Sequence, residues 1–491
     1  MKDQNNTQVV QSPNDGKVIN PELISLLDET QEVTSIYPAQ DFKDGKLWYS
    51  FQNSSGKFLF NSDAKHFSFS GLQTHHYELK SEPTQYDLKS EFIRHFLKKY
   101  TVSHEEGYEK GIFIAYQLYK AIKQYLLDYI VFPSPLVPEV VTCWIIGSYV
   151  FTIFNYYPYI HIQAEKGSGK SLLMEVMREI AFNGEKVDSI TSSVLFREIE
   201  NNRPTFFLDE AERYRKQDNE LYSDLMQIFN SGFKHDGKVM RSTKIDGKDW
   251  TPKEYSVFSP KCFAGINNIH DVLKDRTIPI RLLRKKAGDQ VKRFRLDENL
   301  KRHIYKIKQL NYGFGLRYVK TIQEIYNDGC LEDEIPVELS DREKDIWEPL
   351  FTIGKIIDKE LDLRDEPPIV LESLKDYSIL TSNKRKEEDL ENNDTVKIVN
   401  ILLEIIESSN FAVNTNNNRL KFSRNALWNI FDKNYKEQFP EIDTRTKMVQ
   451  AINRSLDILP EKLTSSSNDL DSDKWYVIPG GFLEDMRERY M

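Results

Sequence analysis

Apolar residues change their spacing several times along the chain, and each change predicts a different kind of element. From Gly45 to Phe69, short aromatic and β-branched runs (LWYSFQ, KFLF, HFSF) alternate with Ser-Ser-Gly and Asn-Ser-Asp, which predicts a small meander of strands. From Ser90 to Tyr129 apolar positions recur at helical spacing, among them Phe92, Phe96, Tyr116, Tyr119, Ile122 and Leu126, and predict two or more helices. Strands and helices then alternate from Tyr159 to Leu283, the pattern of an α/β core. Its predicted strands are YIHIQ at 159–163, TFFLDE at Thr205–Glu210, KCFAGI at Lys261–Ile266 and TIPIRLL at Thr277–Leu283. A helical region follows from Asn299 to Leu361. Asn383 to Asp394, NKRKEEDLENND, is dense in both charges without an apolar face and reads as a linker or an exposed helix end. Thr395 to Met491 has a common domain size and reads as helix Thr395–Ile406, a short strand, helices Arg424–Tyr435 and Thr444–Leu456, and a closing KWYVIP strand.

One segment, Val140 to Tyr157, lacks charge for a length that approaches a membrane span. Pro138 suits a helix start and a core strand follows almost at once, so a buried helix beside that strand is expected instead. The polar start, MKDQNNTQVVQSPNDGK, has no signal-peptide core, and residues 1–20 read as a disordered lead. Cys143, Cys262 and Cys330 lie far apart and form neither a disulfide framework nor a zinc pattern. A soluble, cytoplasmic protein without a membrane partner is expected. The net charge of −9 over 491 residues excludes a uniformly basic nucleic-acid coat, though not a local basic channel.

The chemistry concentrates where the first core strand breaks into Lys166-Gly167-Ser168-Gly169-Lys170-Ser171 and a helix begins. A glycine loop in that place lets backbone N–H groups wrap phosphate oxygens at a helix N-terminus. Lys170 would reach the β and γ phosphates of ATP, and Ser171 would ligate Mg²⁺. Ala164 stands where the phosphate-loop pattern places its first glycine, a position that a small residue with negative φ can fill. The second strand ends in two acids: Asp209 suits the Mg²⁺ through water, and Glu210 suits orienting the attacking water. The third ends in Asn267 and Asn268, one of which would sit between the two earlier strands and position that water. Asp275-Arg276 precedes the fourth strand, and Arg276 is placed to enter a neighbouring subunit's site.

This order of elements resembles the AAA+ ATPases, and more narrowly the MCM-like, primase-associated helicase family of phages, plasmids and mobile elements. The blocks that carry the resemblance are FNYYPYIHIQAEKGSGKS, SSVLFREIE, TFFLDEAER, NSGFKHDGKVMRS, SPKCFAGINNIHDVLKDRTIPIRLLR and LSDREKDIWEPLFTI, spanning roughly residues 110–360. The resemblance implies an α/β P-loop AAA+ core at 110–298 with a helical lid at 299–380. A small α+β N-terminal domain at 21–109 precedes them, and a linker at 381–394 leads to a winged-helix-like domain at 395–491. By the same resemblance Lys170, Ser171, Asp209, Glu210, Asn267 and Arg276 take the roles given above, and Arg342 is the lid-helix arginine that contacts phosphate in its own subunit. Arg342 also reads as one half of a helix-terminal Asp–Arg pair. No primase or zinc-ribbon segment is attached, so primase activity is not implied.

Nucleic acid has two candidate contacts in the core. Asp246-Gly247 is a hairpin signal bracketed by Lys244 and Lys248, and in related ring ATPases a hairpin here points into the pore. The run from Arg281 to Lys308 is basic and suits either a DNA path or a solvated helix face. Arg445 and Lys447 place charge on the third helix of the C-terminal unit, for contact with DNA or with protein. The function expected is an ATP-driven, ring-forming (hexameric) DNA helicase or translocase of a phage or mobile element, working on single-stranded or forked DNA beside a primase or polymerase. The alternatives are a nucleotide-switched assembly platform and an anti-phage defence ATPase.

Overall fold

The computed structural model describes residues 33–54, 56–83, 108, 110, 112–165, 167–187, 191–209, 219–244, 250–265, 271–286, 288–392, 401–402, 404, 413–415, 419–437, 439, 442–456, 475–479 and 482. The chain forms two compact units, Met1–Ile379 and Leu380–Met491. The lead at 1–20, the helical spacing through Phe92 and Phe96, and most of the Thr395–Ile406 helix fall outside the described residues.

The first unit begins with strands β1 (Thr34–Ile36), β2 (Gln40–Lys43), β3 (Lys46–Asn53), β4 (Gly56–Asn61), β5 (His66–Ser68) and β6 (Tyr77–Leu79). Strands β2 to β5 form an antiparallel sheet in chain order, while β1 pairs in parallel with β6. The meander expected from LWYSFQ, KFLF and HFSF is β3, β4 and β5. Alternation along β3 explains its unbroken aromatic run, because both faces are buried. Trp48 packs with Ile36, Leu59 and Leu72, whereas Leu47, Tyr49 and Phe51 join the large core of the unit.

That large core is built around helices α1 (Ile114–Tyr129) and α2 (Leu136–Gly147). Residues Val137 to Gly147 of α2 are all buried, so the uncharged segment is a covered helix. Among the described residues no helix is long and apolar enough to cross a membrane. The α/β core follows, with β7 (Tyr159–Ala164), α3 (Lys170–Ile180), β8 (Gly184–Val187), α4 (Ser192–Asn202), β9 (Thr205–Leu208) and α5 (Asn219–Ser231). Next come a separate antiparallel ribbon, β10 (Lys238–Lys244) and β11 (Trp250–Ser256), then β12 (Lys261–Gly265), α6 (Asp271–Lys274) and β13 (Thr277–Leu282). The five core strands are parallel in the order β13-β7-β12-β9-β8. Burial on both faces accounts for the apolar runs of β7, β9 and β12. The edge strand β8, with the sequence GEKV, has a single buried residue and gave no such run.

Two long helices complete the unit: α7 (Glu298–Asn327), capped by the Asp297 side chain, and α8 (Asp341–Asp362), opened by a Ser340–Glu343 capping box. They pack against each other and against α1, and α8 also packs on α2. One helical layer is thus assembled from segments on both sides of the sheet in sequence. Gly147 sits at the α2–α8 contact, where an added Cβ would lie 2.9 Å from Ile353 Cδ1.

Helix α9 (Val370–Asn392) contains the boundary between the units, and the charged segment up to Asn392 is helical. In the second unit β14 (Val413–Thr415), β15 (Arg419–Ser423) and β16 (Trp475–Pro479) form an antiparallel sheet in that order, with α10 (Arg424–Asn434) and α11 (Arg445–Leu456). Leu427, Phe431, Met448, Ile452 and Tyr476 form its core.

Candidate functional site

The turn from β7 to α3 makes no left-handed demand on Ala164. Ala164 is the last residue of β7, paired with Leu282, and has no positive φ. Two residues of the loop do need a left-handed backbone: Gly167 at φ +83° and Gly169 at φ +87°. Space is open where a Cβ on either would stand. The loop closes on itself through Ser168 N–H donating to Glu165 O at 3.3 Å, and Leu173 N–H donates to Gly169 O at 2.9 Å as α3 starts. Among the described residues the buried Ser168 hydroxyl has no hydrogen-bond partner. Lys170 opens α3 and Ser171 follows it. Lys166 lies outside the described residues.

Asp209 follows β9 directly, and Ser171 Oγ donates to its Oδ2 at 2.9 Å. Lys186 of β8 places its Nζ 3.9 Å from the same oxygen. This lysine escaped the sequence reading because a short polar edge strand carries it. A hydroxyl and a carboxylate side by side are hard oxygen donors, and Mg²⁺ is commonly held by only one or two carboxylates. The pair therefore fits that ion, and no larger metal cluster occurs among the described residues.

Strand β12 lies between β7 and β9, as expected of the asparagine strand. Gly265 pairs with Gln163, and Phe263 with both His161 and Leu208, so the three strands end on the side where the glycine loop begins. Glu210, Asn267 and Asn268, which follow two of those ends, lie outside the described residues.

Arg276 stands at the other end of the sheet. It precedes β13, and its carbonyl accepts from Tyr159 N–H at 2.9 Å, at the start of β7. With a rise of about 3.3 Å per residue, the length of β7 puts roughly 17–20 Å between this backbone and the loop. The guanidinium lies over the Phe233 ring, 4.8 Å from its centroid. Burial and the nearby Arg342 charge both lower its pKa. Arg342 is exposed in the first turn of α8 and belongs to a neighbourhood that includes Asp345 and Lys234. It is gathered with Arg276 and not with the glycine loop of its own chain, contrary to the same-subunit contact expected of it. The physical reason is that α8 begins beside the residues leading into β7, where Lys234 pairs with Tyr156, and not beside its end.

The ribbon expected around Asp246-Gly247 is present, with Lys244 opposite Trp250 at its outer end. Positions 245–249, including Asp246, Gly247 and Lys248, lie outside the described residues. Between β13 and the start of α7 at Glu298, the described residues of the basic run form neither helix nor strand, with a turn closed by Asp289 N–H donating to Lys286 O at 3.2 Å. Arg284 is 3.6 Å from Glu165 in the glycine loop, and Lys292 is 2.7 Å from Asp128. Phe294 meets Tyr129 edge-on at 5.1 Å. In the second unit Arg445 and Lys447 are exposed in the first turn of α11; Arg445 bonds Asn425, and Lys447 pairs with Asp443 at 2.8 Å.

No protein-family model and no curated protein matches the chain. Solved structures that resemble it loosely include the following two. One is the apo A form of the NrS-1 C-terminal region, 11% identical, with a TM-score of 0.32 over 88% of this chain and 96% of that one. The other is JCV helicase bound to a thiazolopyridine phenoxyphenyl acetamide, 13% identical, with a TM-score of 0.22 over 52% of this chain and 67% of that one. Neither likeness is close enough to carry fold or function across.

Proposed function

We propose that the chain is an ATP-driven motor on DNA, a helicase or translocase with an AAA+-type core. The observation that carries this reading is the Ser171–Asp209 contact at the mouth of the glycine loop, 2.9 Å long, which joins the two residues expected to share Mg²⁺. Gly167 and Gly169 shape a concave backbone for phosphate oxygens, and Lys170 at the start of α3 supplies a cation to the β and γ phosphates. Ser171 and Asp209 hold Mg²⁺, which when bound neutralises phosphate charge. Glu210 polarises the attacking water and Asn267 positions it.

Arg276 and Arg342 lie far from that pocket in their own chain, so they serve a neighbour's nucleotide. Two arginines close enough for one to depress the other's pKa are relieved by an anion such as the γ-phosphate. The reading therefore requires a ring, taken as a hexamer. Single-stranded or forked DNA passes the lysines of the β10–β11 ribbon, and the C-terminal unit acts as a winged helix that contacts DNA or a replication partner such as a primase or polymerase. Replication of a phage or mobile element is the setting that suits such a motor.

Strand displacement on a forked duplex with one labelled strand tests the proposal. Wild-type protein with Mg²⁺ and ATP should release that strand, and Lys170→Ala should not. ATP turnover without displacement under any tail polarity would instead favour the assembly platform.

A further inference from the structure

The glycine loop has a second neighbour besides Asp209. In the sheet order β13-β7-β12-β9-β8, strand β7 leads into the loop, β9 and its Asp209 lie two strands away on one side, and β13 is adjacent on the other. Pairing of β13 with β7 runs to the last residue of both strands, Leu282 opposite Ala164. The chain after β13 therefore leaves the sheet level with the residues that open the loop. Leu283 and Arg284 come next. Arg284 Nε stands 3.6 Å from Oε2 of Glu165, the first residue after β7. Leu283 is 56% exposed, although Ile278, Ile280 and Leu282 before it are covered.

An exposed leucine at a strand end gains nothing from water, and a glutamate beside an anion-binding loop repels what the loop would hold. The ion pair that answers Glu165 lies mostly in solvent, with 64% of the Arg284 side chain and 81% of the Glu165 side chain exposed, so it adds little stability. Its effect is to hold a guanidinium by one edge at the mouth of the loop. A guanidinium is flat and stacks on aromatic faces. The chain behind it is anchored, because the Lys292 backbone N–H and side-chain Nζ each reach Asp128 at 2.7 Å. Direction then narrows the ligand. The Ser171–Asp209 pair draws Mg²⁺ and the terminal phosphates of a bound nucleotide toward β9. Those phosphates are strung in line, so the nucleoside extends the opposite way, over the end of β13.

We propose that Leu283 and Arg284 form the base end of the nucleotide site, with the guanidinium stacked on the base and the leucine covering its apolar edge. This rests on the reading of the glycine loop as an ATP site and deepens it: one chain supplies both ends of its own nucleotide pocket. Arg284 then contacts the nucleotide of its own subunit, a role that the position of Arg342 does not allow.

Calorimetric titration of the full chain with ATP, and with inorganic tripolyphosphate, which has the phosphates without a nucleoside, tests the inference. Excess EDTA prevents turnover. Wild-type protein should prefer ATP. Replacing Arg284 alone would also unmask Glu165, so the deciding variant changes both, and Glu165→Gln/Arg284→Gln leaves the net charge as it was. It should lose roughly 2- to 30-fold in ATP affinity, the range of a cation on an aromatic face, and bind tripolyphosphate as wild type does. Leu283→Ala should weaken ATP binding alone in the same way. All three side chains are exposed, so the variants should melt with wild type. ATP affinity at the wild-type level in both variants overturns the base contact, as do equal losses for ATP and tripolyphosphate, and either result leaves the ATP site standing. Wild-type protein that binds neither ligand overturns the ATP-site reading and this inference with it.

Discussion

The Ser171 hydroxyl donates to the Asp209 carboxylate at 2.9 Å, so the end of one strand and the start of the helix after another meet at a single oxygen. Both residues serve one ion in the proposed site, and their loss should look alike. Ser171→Ala and Asp209→Asn should each reduce ATP hydrolysis in Mg²⁺ by at least ~10²-fold, the scale of losing one catalytic group. Nucleotide binding in excess EDTA should change little. Phosphate release and fluorescent-nucleotide titration read the two quantities. A variant whose hydrolysis stays at the wild-type rate would remove its residue from the site.

The two arginines predict complementation. Arg276→Ala and Arg342→Ala should bind ATP normally and turn it over slowly, because in the proposed ring each acts on the next subunit's nucleotide. Mixing either with Lys170→Ala protein should restore part of the activity, since an intact loop then meets an intact arginine at some interfaces. If mixed rings form and Arg342→Ala is never rescued while Arg276→Ala is, Arg342 does not act in trans.

If the proposed motor grips DNA through Lys244 and Lys248, replacing both with alanine should remove two phosphate contacts. The slope of log affinity against log salt on single-stranded DNA should flatten by about 1.4, and DNA stimulation of ATP turnover should fall. An unchanged slope would show that these lysines do not track the backbone.

Glu348 in α8 offers a pH dependence. Burial, with Asp345 and Glu332 nearby, raises its pKa to about 7. The folded state therefore favours the neutral carboxyl. Its contribution to stability is complete below the ordinary carboxylate range and is lost as pH rises through about 7. Glu348→Gln stays neutral at every pH and should melt at a temperature that falls less than that of wild type between pH 5 and pH 8. The difference should be a few degrees, at roughly 2–4 °C per kcal/mol for a unit of this kind. Parallel melting curves for the two proteins would refute the assignment.

Sequence and structure agree best where one physical signal decides the element. The strands YIHIQ, TFFLDE, KCFAGI and TIPIRLL correspond to β7, β9, β12 and β13 within a residue or two at their ends; the first three are largely buried on both faces, and the edge strand β13 buries Ile278, Ile280 and Leu282 on one. Strand β8 was hidden because an edge strand needs little apolar surface, and Lys186 was hidden with it. The place of Arg342 was not legible either. A helix start can be read from Ser340 and Glu343, but which end of the sheet it reaches depends on how α8 packs against α1, α2 and α7. Arg284 stood in the basic run without a signal of its own. Only the register of β13 against β7 sets it beside the glycine loop.

The helical layer around α2 also sets an order of events during synthesis. Helix α2 is buried on all sides, yet α8, which covers part of it, is made only after the whole five-stranded sheet. At ~5–20 residues per second the nascent chain carries that greasy surface for on the order of ten seconds or more. A fragment ending before Glu298 would carry it permanently.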